Sequence, residues 1–276
     1  MTLREAIATL TEAGIDSAEH DARALFRHFL GNNEGYIPKD TDCTSDALVN
    51  AVKRRQEREP LQYIIGRVGF YREEYLVTDA VLIPRPDTEH LVEYAVKHIP
   101  RGECFLDVCT GSGCIAVSTL KNTADTTATA VDISRDALSV AKKNAELNGV
   151  SDRITLLERD ILKSPYTGGE KFYALLSNPP YVSHEAYASL EPEIYKEPRI
   201  AFVGGEDGGD FYRALIPMAK NIVKPEGFIA FEIGYDQREL LCSLSEREDM
   251  DIEIIRDYSG NDRVAVLRFR RASKNG

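Results

Sequence analysis

From residue 104 onward, short apolar runs alternate with helical stretches, and no other feature of the chain limits its fold as much. The runs are "CFLDVCT", "TATAVDI", "RITLLERD", "YALLSN" and "FIAFEIG". Short apolar strands separated by helices are the pattern of a parallel sheet covered on both faces. The end of the chain differs: "DIEIIRDYSG" and "DRVAVLRF" follow each other across "SGND", which reads as an antiparallel hairpin at the sheet edge. The expected class is therefore α/β, a Rossmann-like, mostly parallel seven-stranded sheet closed by an antiparallel edge hairpin.

The first sixty residues have a helical period instead. Thr2 and Glu5 have capping-box spacing, and Asp16 with Glu19 has the same spacing ahead of Ala22, Leu25, Phe26, Phe29 and Leu30, an i, i+3, i+4, i+7, i+8 face. "TSDALVNAVKRRQER" reads as a further helix capped at Thr44 or Ser45, its basic end complementing the macrodipole and facing solvent. These pieces predict a small helical bundle over residues 1–60. Residues 61–84 turn to β-prone pieces and read as a hairpin-like linker, leaving 85–276 for the sheet domain. That domain opens with "IPRPDTEHLVEYAVKHI", where Asp87 or Thr88 is placed to cap a helix with an apolar stripe at Leu91, Val92, Ala95, Val96 and Ile99.

Composition narrows the function classes. The chain has 276 residues, 43% hydrophobic and 29% charged, which is ordinary for a globular protein with a sizeable core. A net charge of -11 disfavours binding to duplex nucleic acid, since phosphate neutralisation needs a basic face. The opening "MTLREAIATL" has an acidic residue and no long apolar core, and no stretch approaches a membrane span, so a cytoplasmic protein without membrane contact is expected. Five scattered cysteines without a C-x-x-C pair suit reduced thiols, and neither they nor the five histidines have metal-ligand spacing, so no metal is expected.

"FLDVCTGSGCIAVSTL" joins a strand to a helix through a small-residue turn. Gly111 and Gly113 permit close approach of backbone to a ligand, and the helix start offers free N–H groups to an anionic group. "TAVDIS" puts Asp132 at the end of the second strand, where a carboxylate can accept both hydroxyls of a ribose. To this point NAD and S-adenosylmethionine (SAM) fit equally. The loop lacks the third glycine that lets a helix approach a pyrophosphate, and "ERDIL" adds Asp160 after the third strand, suited to an adenine amino group; both favour SAM.

"LLSNPPYVS" completes the set. A strand ending in Asn-Pro-Pro must leave the sheet there on a stiff backbone. It delivers Asn178 to the same sheet edge as the glycine loop and the two acids. An amide or aromatic amine is a poor nucleophile because its nitrogen lone pair is delocalised. The side-chain oxygen of Asn178 and the carbonyl of Pro179 can each accept one N–H, aiming the lone pair at a methyl donor and offsetting the charge that develops on nitrogen. Pro179 and Pro180 hold those acceptors rigidly, and Tyr181 offers a ring face to a planar substrate group.

Taken together, "EPLQYIIGRVGFY", "LIPRPDTEHLVE", "LDVCTGSGCIA", "AVDIS", "SNPPYV", "EPRIAFVGGEDG" and "RDYSGNDRVA" resemble the HemK/PrmC family over nearly the whole chain. These are SAM-dependent methyltransferases that modify glutamine N5 in the Gly-Gly-Gln motif of peptide chain release factors. The resemblance implies a class I methyltransferase domain, with S-adenosylhomocysteine as product and the helical region as a substrate-recognition platform. It also implies site roles. Cys109, Thr110, Gly111, Ser112 and Gly113 line the methionine part of SAM, Asp132 holds the ribose, Asp160 and Ile161 border the adenine, and Asn178 to Tyr181 bind the glutamine amide. Cys109 stands where many members have glycine; an extended, harmless backbone is expected there. Arg85 and Glu89 serve equally well as helix-start structure or as pocket-shaping residues, and Glu232 either supports the site or satisfies backbone groups. An adenine N6 methyltransferase would use the same Asn-Pro-Pro-Tyr geometry, and a non-catalytic SAM-binding module is a third reading.

Overall fold

The computed structural model describes residues 1–31, 35–169 and 171–270, which form two compact units. One comprises Met1–Arg67 together with the short segment Glu191–Glu197; the other runs over Val68–Leu190 and from Pro198 onward. The last six residues of the expected sheet domain lie outside the described residues.

The first unit contains helices α1 (Leu3–Glu12), α2 (Ala18–Leu30), α3 (Asp46–Gln56) and α4 (Leu61–Ile65) around a core that includes Leu3, Leu10, Leu25, Phe26 and Leu48, all fully buried. Thr2 and Glu5 form both halves of the capping box. The Asp16 and Glu19 pair does not: α2 starts after Ser17, whose hydroxyl donates to Asp21 at 2.9 Å instead of capping the helix. Asp21 is buried and also receives the Nε–H of Arg55 at 2.8 Å, a pairing that offsets the cost of burying its charge, and Arg55 reaches Glu193 at 3.0 Å. Ser45 precedes α3 but makes no side-chain cap. The linker reading needs correction too, since "LQYII" forms the single turn of α4. Its aromatic and β-branched residues look strand-like, yet Pro60 starts the turn and Gly66, with φ 78°, ends it in the left-handed conformation only glycine adopts cheaply.

β1 (Arg67–Phe70), which lies in the second unit from Val68 onward, and β2 (Glu73–Leu76) make the expected hairpin. A 3-10 turn at Pro86–Thr88 leads into α5 (Glu89–His98), and the hydroxyl of Thr88 does not cap that helix. Then β3 (Cys104–Val108), α6 (Cys114–Lys121), β4 (Thr127–Asp132), α7 (Arg135–Leu147), β5 (Ile154–Glu158) and β6 (Phe172–Ser177) follow. After α8 (His184–Tyr187) come α9 (Asp210–Ile222), β7 (Val223–Glu232), α10 (Arg238–Arg247), β8 (Met250–Arg256) and β9 (Asp262–Phe269). The seven-stranded sheet has the order β5-β4-β3-β6-β7-β9-β8, parallel through β7 and antiparallel across β7, β9 and β8. Period-2 alternation sends Phe105 to one face, with Leu91 and Leu120, and Leu106 to the other, with Tyr212 and Leu215. Both faces of the central strands β3 and β6 are buried, so those strands carry no polar stripe, whereas the edge strand β8 exposes Asp251 and Glu253. Among the described residues no helix is long and apolar enough to cross a membrane.

Candidate active site

The strand order reverses at β3: the chain steps outward through β4 to β5, then returns to place β6 on the other side. Loops on either side of such a switch point diverge and leave a crevice at the carboxyl ends of the strands. A cavity of about 330 Å³ opens there, lined by residues from the ends of β3, β4, β5 and β6. That volume lies within the usual small-molecule range of about 300–1,000 Å³. Of the candidate residues, Cys109, Gly111, Asp132, Asp160, Ile161, Asn178 and Pro180 line it; Thr110, Ser112, Gly113, Pro179 and Tyr181 lie outside its lining.

The glycine loop is built from backbone constraints. Cys109, Gly111 and Gly113 all have positive φ, at 60°, 54° and 80°. The extended backbone expected at Cys109 is therefore wrong: the turn out of β3 uses the left-handed region, which disfavours any side chain. At Gly113 a Cβ would come within 3.1 Å of the Ala141 side chain, a tight contact, so glycine suits the close packing of α6 on α7. Thr110 and Ser112 serve the loop from behind. The Thr110 hydroxyl donates to buried Asp107 at 2.6 Å, and the Ser112 carbonyl accepts from Asn144 at 2.8 Å. Burial pushes the Asp107 carboxyl up to about 7.

Asp132 accepts the Gly111 N–H at 2.8 Å and the Ser134 N–H at 2.9 Å, one on each oxygen. Each oxygen keeps a second lone pair, so the carboxylate is fixed in orientation and still able to accept hydroxyls. Burial raises its pKa against those hydrogen bonds. Asp160 accepts the backbone N–H groups of Leu162 and Lys163 at 3.2 Å and pairs with the Lys163 ammonium at 3.0 Å, which lowers its pKa. Two carboxylates at successive strand ends, with Ile133 and Ile161 on apolar walls, match an adenosine: a flat base, an exocyclic amine and a diol. The residues present thus fit SAM.

Asn178 follows β6 directly and donates through Nδ2 to the Thr88 hydroxyl at 3.3 Å. The Tyr181 hydroxyl donates to Glu232 at 3.2 Å, and Glu232 also receives the Thr88 hydroxyl at 2.5 Å. Glu232 is 2% exposed, and burial pushes its carboxyl up to about 6. Glu89 accepts the Tyr71 backbone N–H at 2.7 Å and so anchors the β1–β2 turn.

Sequence reasoning missed the clamp behind Asn-Pro-Pro-Tyr. The glycine-rich stretch 203–209 runs alongside it: Val182 N–H donates to Phe202 at 2.8 Å and Gly204 N–H to Val182 at 2.9 Å. A Cβ at Gly204 would lie 2.2 Å from the Pro180 carbonyl oxygen, and one at Gly208 would lie 2.0 Å from that of Tyr181. Gln237, buried, donates to the Tyr181 carbonyl at 3.0 Å. The signal was the "VGGEDGG" cluster itself, since closely spaced glycines mark close backbone approach.

Comparison with known proteins agrees with this architecture. Residues 2–66 match the PrmC N-terminal domain, and residues 87–198 match the Methyltransferase small domain. A release factor glutamine methyltransferase of Moorella thermoacetica is 40% identical, covering 98% of this chain and 99% of its own. The protein of the same name from Clostridium acetobutylicum is 39% identical, covering 96% of each, and that of Geobacter sulfurreducens 36%, covering 94% and 93%. Among solved structures, a tRNA m1G37 methyltransferase of M. jannaschii superposes with a TM-score of 0.52 at 17% identity, covering 75% of this chain and 57% of its own, a likeness of fold alone.

Proposed function

The chain belongs to the release factor glutamine methyltransferase family, and we propose that its cavity binds SAM while Asn178 to Tyr181 hold the target glutamine. In this reading the enzyme transfers a methyl group to the side-chain amide N5 of the glutamine in the Gly-Gly-Gln motif of peptide chain release factors, in the cytoplasm, without metal or nucleic acid. Bound SAM supplies a methyl group on a sulfonium, electrophilic enough to need no further activation.

The chain's own residues supply position and charge. Asp132 accepts the ribose hydroxyls, Asp160 and Ile161 border the base, and the turn from Cys109 to Gly113 faces the methionine portion. Asn178 Oδ1 and the Pro179 carbonyl each accept one amide N–H, which turns the nitrogen lone pair toward the donor. The same two acceptors stabilise the positive charge that grows on nitrogen, and the proton leaves afterwards to water. The two prolines and the glycine clamp hold those acceptors still, so little reorganisation accompanies the reaction.

The observation that carries this reading is that Asn178 shares one cavity with Asp132 and Asp160. Its test is Asn178→Ala, assayed for methyl transfer and for SAM binding separately. Loss of one preorganised acceptor predicts a fall of about a hundredfold or more in kcat with SAM affinity held within a few fold. A variant that keeps its rate would contradict the assignment.

A further inference from the structure

We propose that Thr88 and Glu232 are positioning residues that set which way the Asn178 amide faces. The inference rests on the role given to Asn178 above and adds the means by which its oxygen is kept toward the substrate. An asparagine amide is nearly symmetric in shape, so packing alone does not distinguish its oxygen from its nitrogen. Hydrogen bonding does. Ionised Glu232 is an acceptor only, and it takes the Thr88 hydroxyl at 2.5 Å on one oxygen and the Tyr181 hydroxyl at 3.2 Å on the other. Thr88 has a single proton, now committed to Glu232. Its oxygen can therefore only accept from Asn178, 3.3 Å away, which fixes Nδ2 toward Thr88 and Oδ1 away from it.

The arrangement reverses on protonation. A neutral Glu232 can donate to Thr88, freeing the Thr88 proton to point at Asn178 and favouring the flipped amide, which offers N–H groups to the substrate instead of an acceptor. Burial, opposed by the Thr88 and Tyr181 hydrogen bonds and by nearby Arg263, and reinforced by Asp87, leaves Glu232 titrating at about 6. The other groups around it are the Tyr212 hydroxyl, which donates to the Glu232 backbone carbonyl at 2.9 Å, and the Cys114 thiol, whose ionisation is suppressed by burial. Neither changes charge between pH 5 and 8.

The experiment measures kcat for methyl transfer to an unmodified release factor from pH 5 to 8, with SAM affinity recorded for each variant. Wild type should lose activity below a midpoint near pH 6. Thr88→Val should lower kcat at pH 8 by about tenfold, the effect of one lost orienting hydrogen bond, with unchanged SAM affinity and without this acid limb. Thr88→Ser should restore both rate and limb, and Glu232→Gln should abolish the limb. Wild-type rate and profile in Thr88→Val, or failure of serine to restore them in a variant that still binds SAM, would overturn the proposal. An Asn178→Ala variant with full activity would instead remove the reading on which it rests.

Discussion

Cys109 sits at φ 60°, in a region that costs a residue with a Cβ roughly 1–2 kcal/mol. Replacing it by alanine keeps that strain, whereas glycine removes it. Urea denaturation should therefore find Cys109→Gly more stable than Cys109→Ala by about 1 kcal/mol; equal stabilities would mean the turn relaxes. The buried carboxylates set a second expectation. Glu232 is held at about 6 when folded, against an ordinary 4.5, so the folded state binds its proton more tightly than the unfolded chain does. Stability from this group is full below about 4.5 and is lost as pH rises through about 6, a change of about 2 kcal/mol. Asp107, held at about 7, acts with the same sign. Calorimetry at pH 5 and pH 8 should show Glu232→Gln gaining on wild type at the higher pH; a pH-independent difference would contradict the burial argument. The candidate side chains at strand ends were legible because motif and position coincide. Thr88 was not: its neighbours suggest a helix cap, and its partner lies 144 residues away.

At the scale of elements, the alternation of apolar runs foretold the parallel strands and the edge hairpin, because a strand buried on both faces has no way to hide its composition. Helix starts were less legible. Thr2 and Glu5 succeed because both partners are local, while Ser17 abandons its cap for Asp21, itself engaged by Arg55 from another helix. Strand-like "LQYII" becomes one helical turn because Pro60 and Gly66 bracket it. The glycine-rich stretch beside Asn-Pro-Pro-Tyr acts as a spacer, since its missing side chains let two backbones touch. Gly204→Ala or Gly208→Ala should displace the Pro180–Tyr181 backbone and cut kcat by about a hundredfold, as misplacement near 1 Å commonly does. Gly69→Ala, with open space around its Cβ position, serves as the comparison and should stay near wild type. Equal activity in all three would show that the glycine stretch does not position the Pro180–Tyr181 backbone.

For the molecule as a whole, the fold places a cavity with two carboxylates and an amide at one sheet edge, and the release factor glutamine methyltransferase of Moorella thermoacetica is 40% identical over nearly full length. A methyltransferase sheet alone does not specify a substrate, since a tRNA enzyme shares it at 17% identity. The specificity claim therefore rests on the reaction itself. The most direct measurement is transfer of labelled methyl from SAM to an unmodified bacterial release factor, beside the same factor with Gln→Ala in its Gly-Gly-Gln motif and an adenine-containing oligonucleotide. One methyl per release factor is expected, absent from the Gln→Ala factor and from the oligonucleotide; label in the oligonucleotide, or label that survives the Gln→Ala change, would show that the glutamine of the Gly-Gly-Gln motif is not the acceptor.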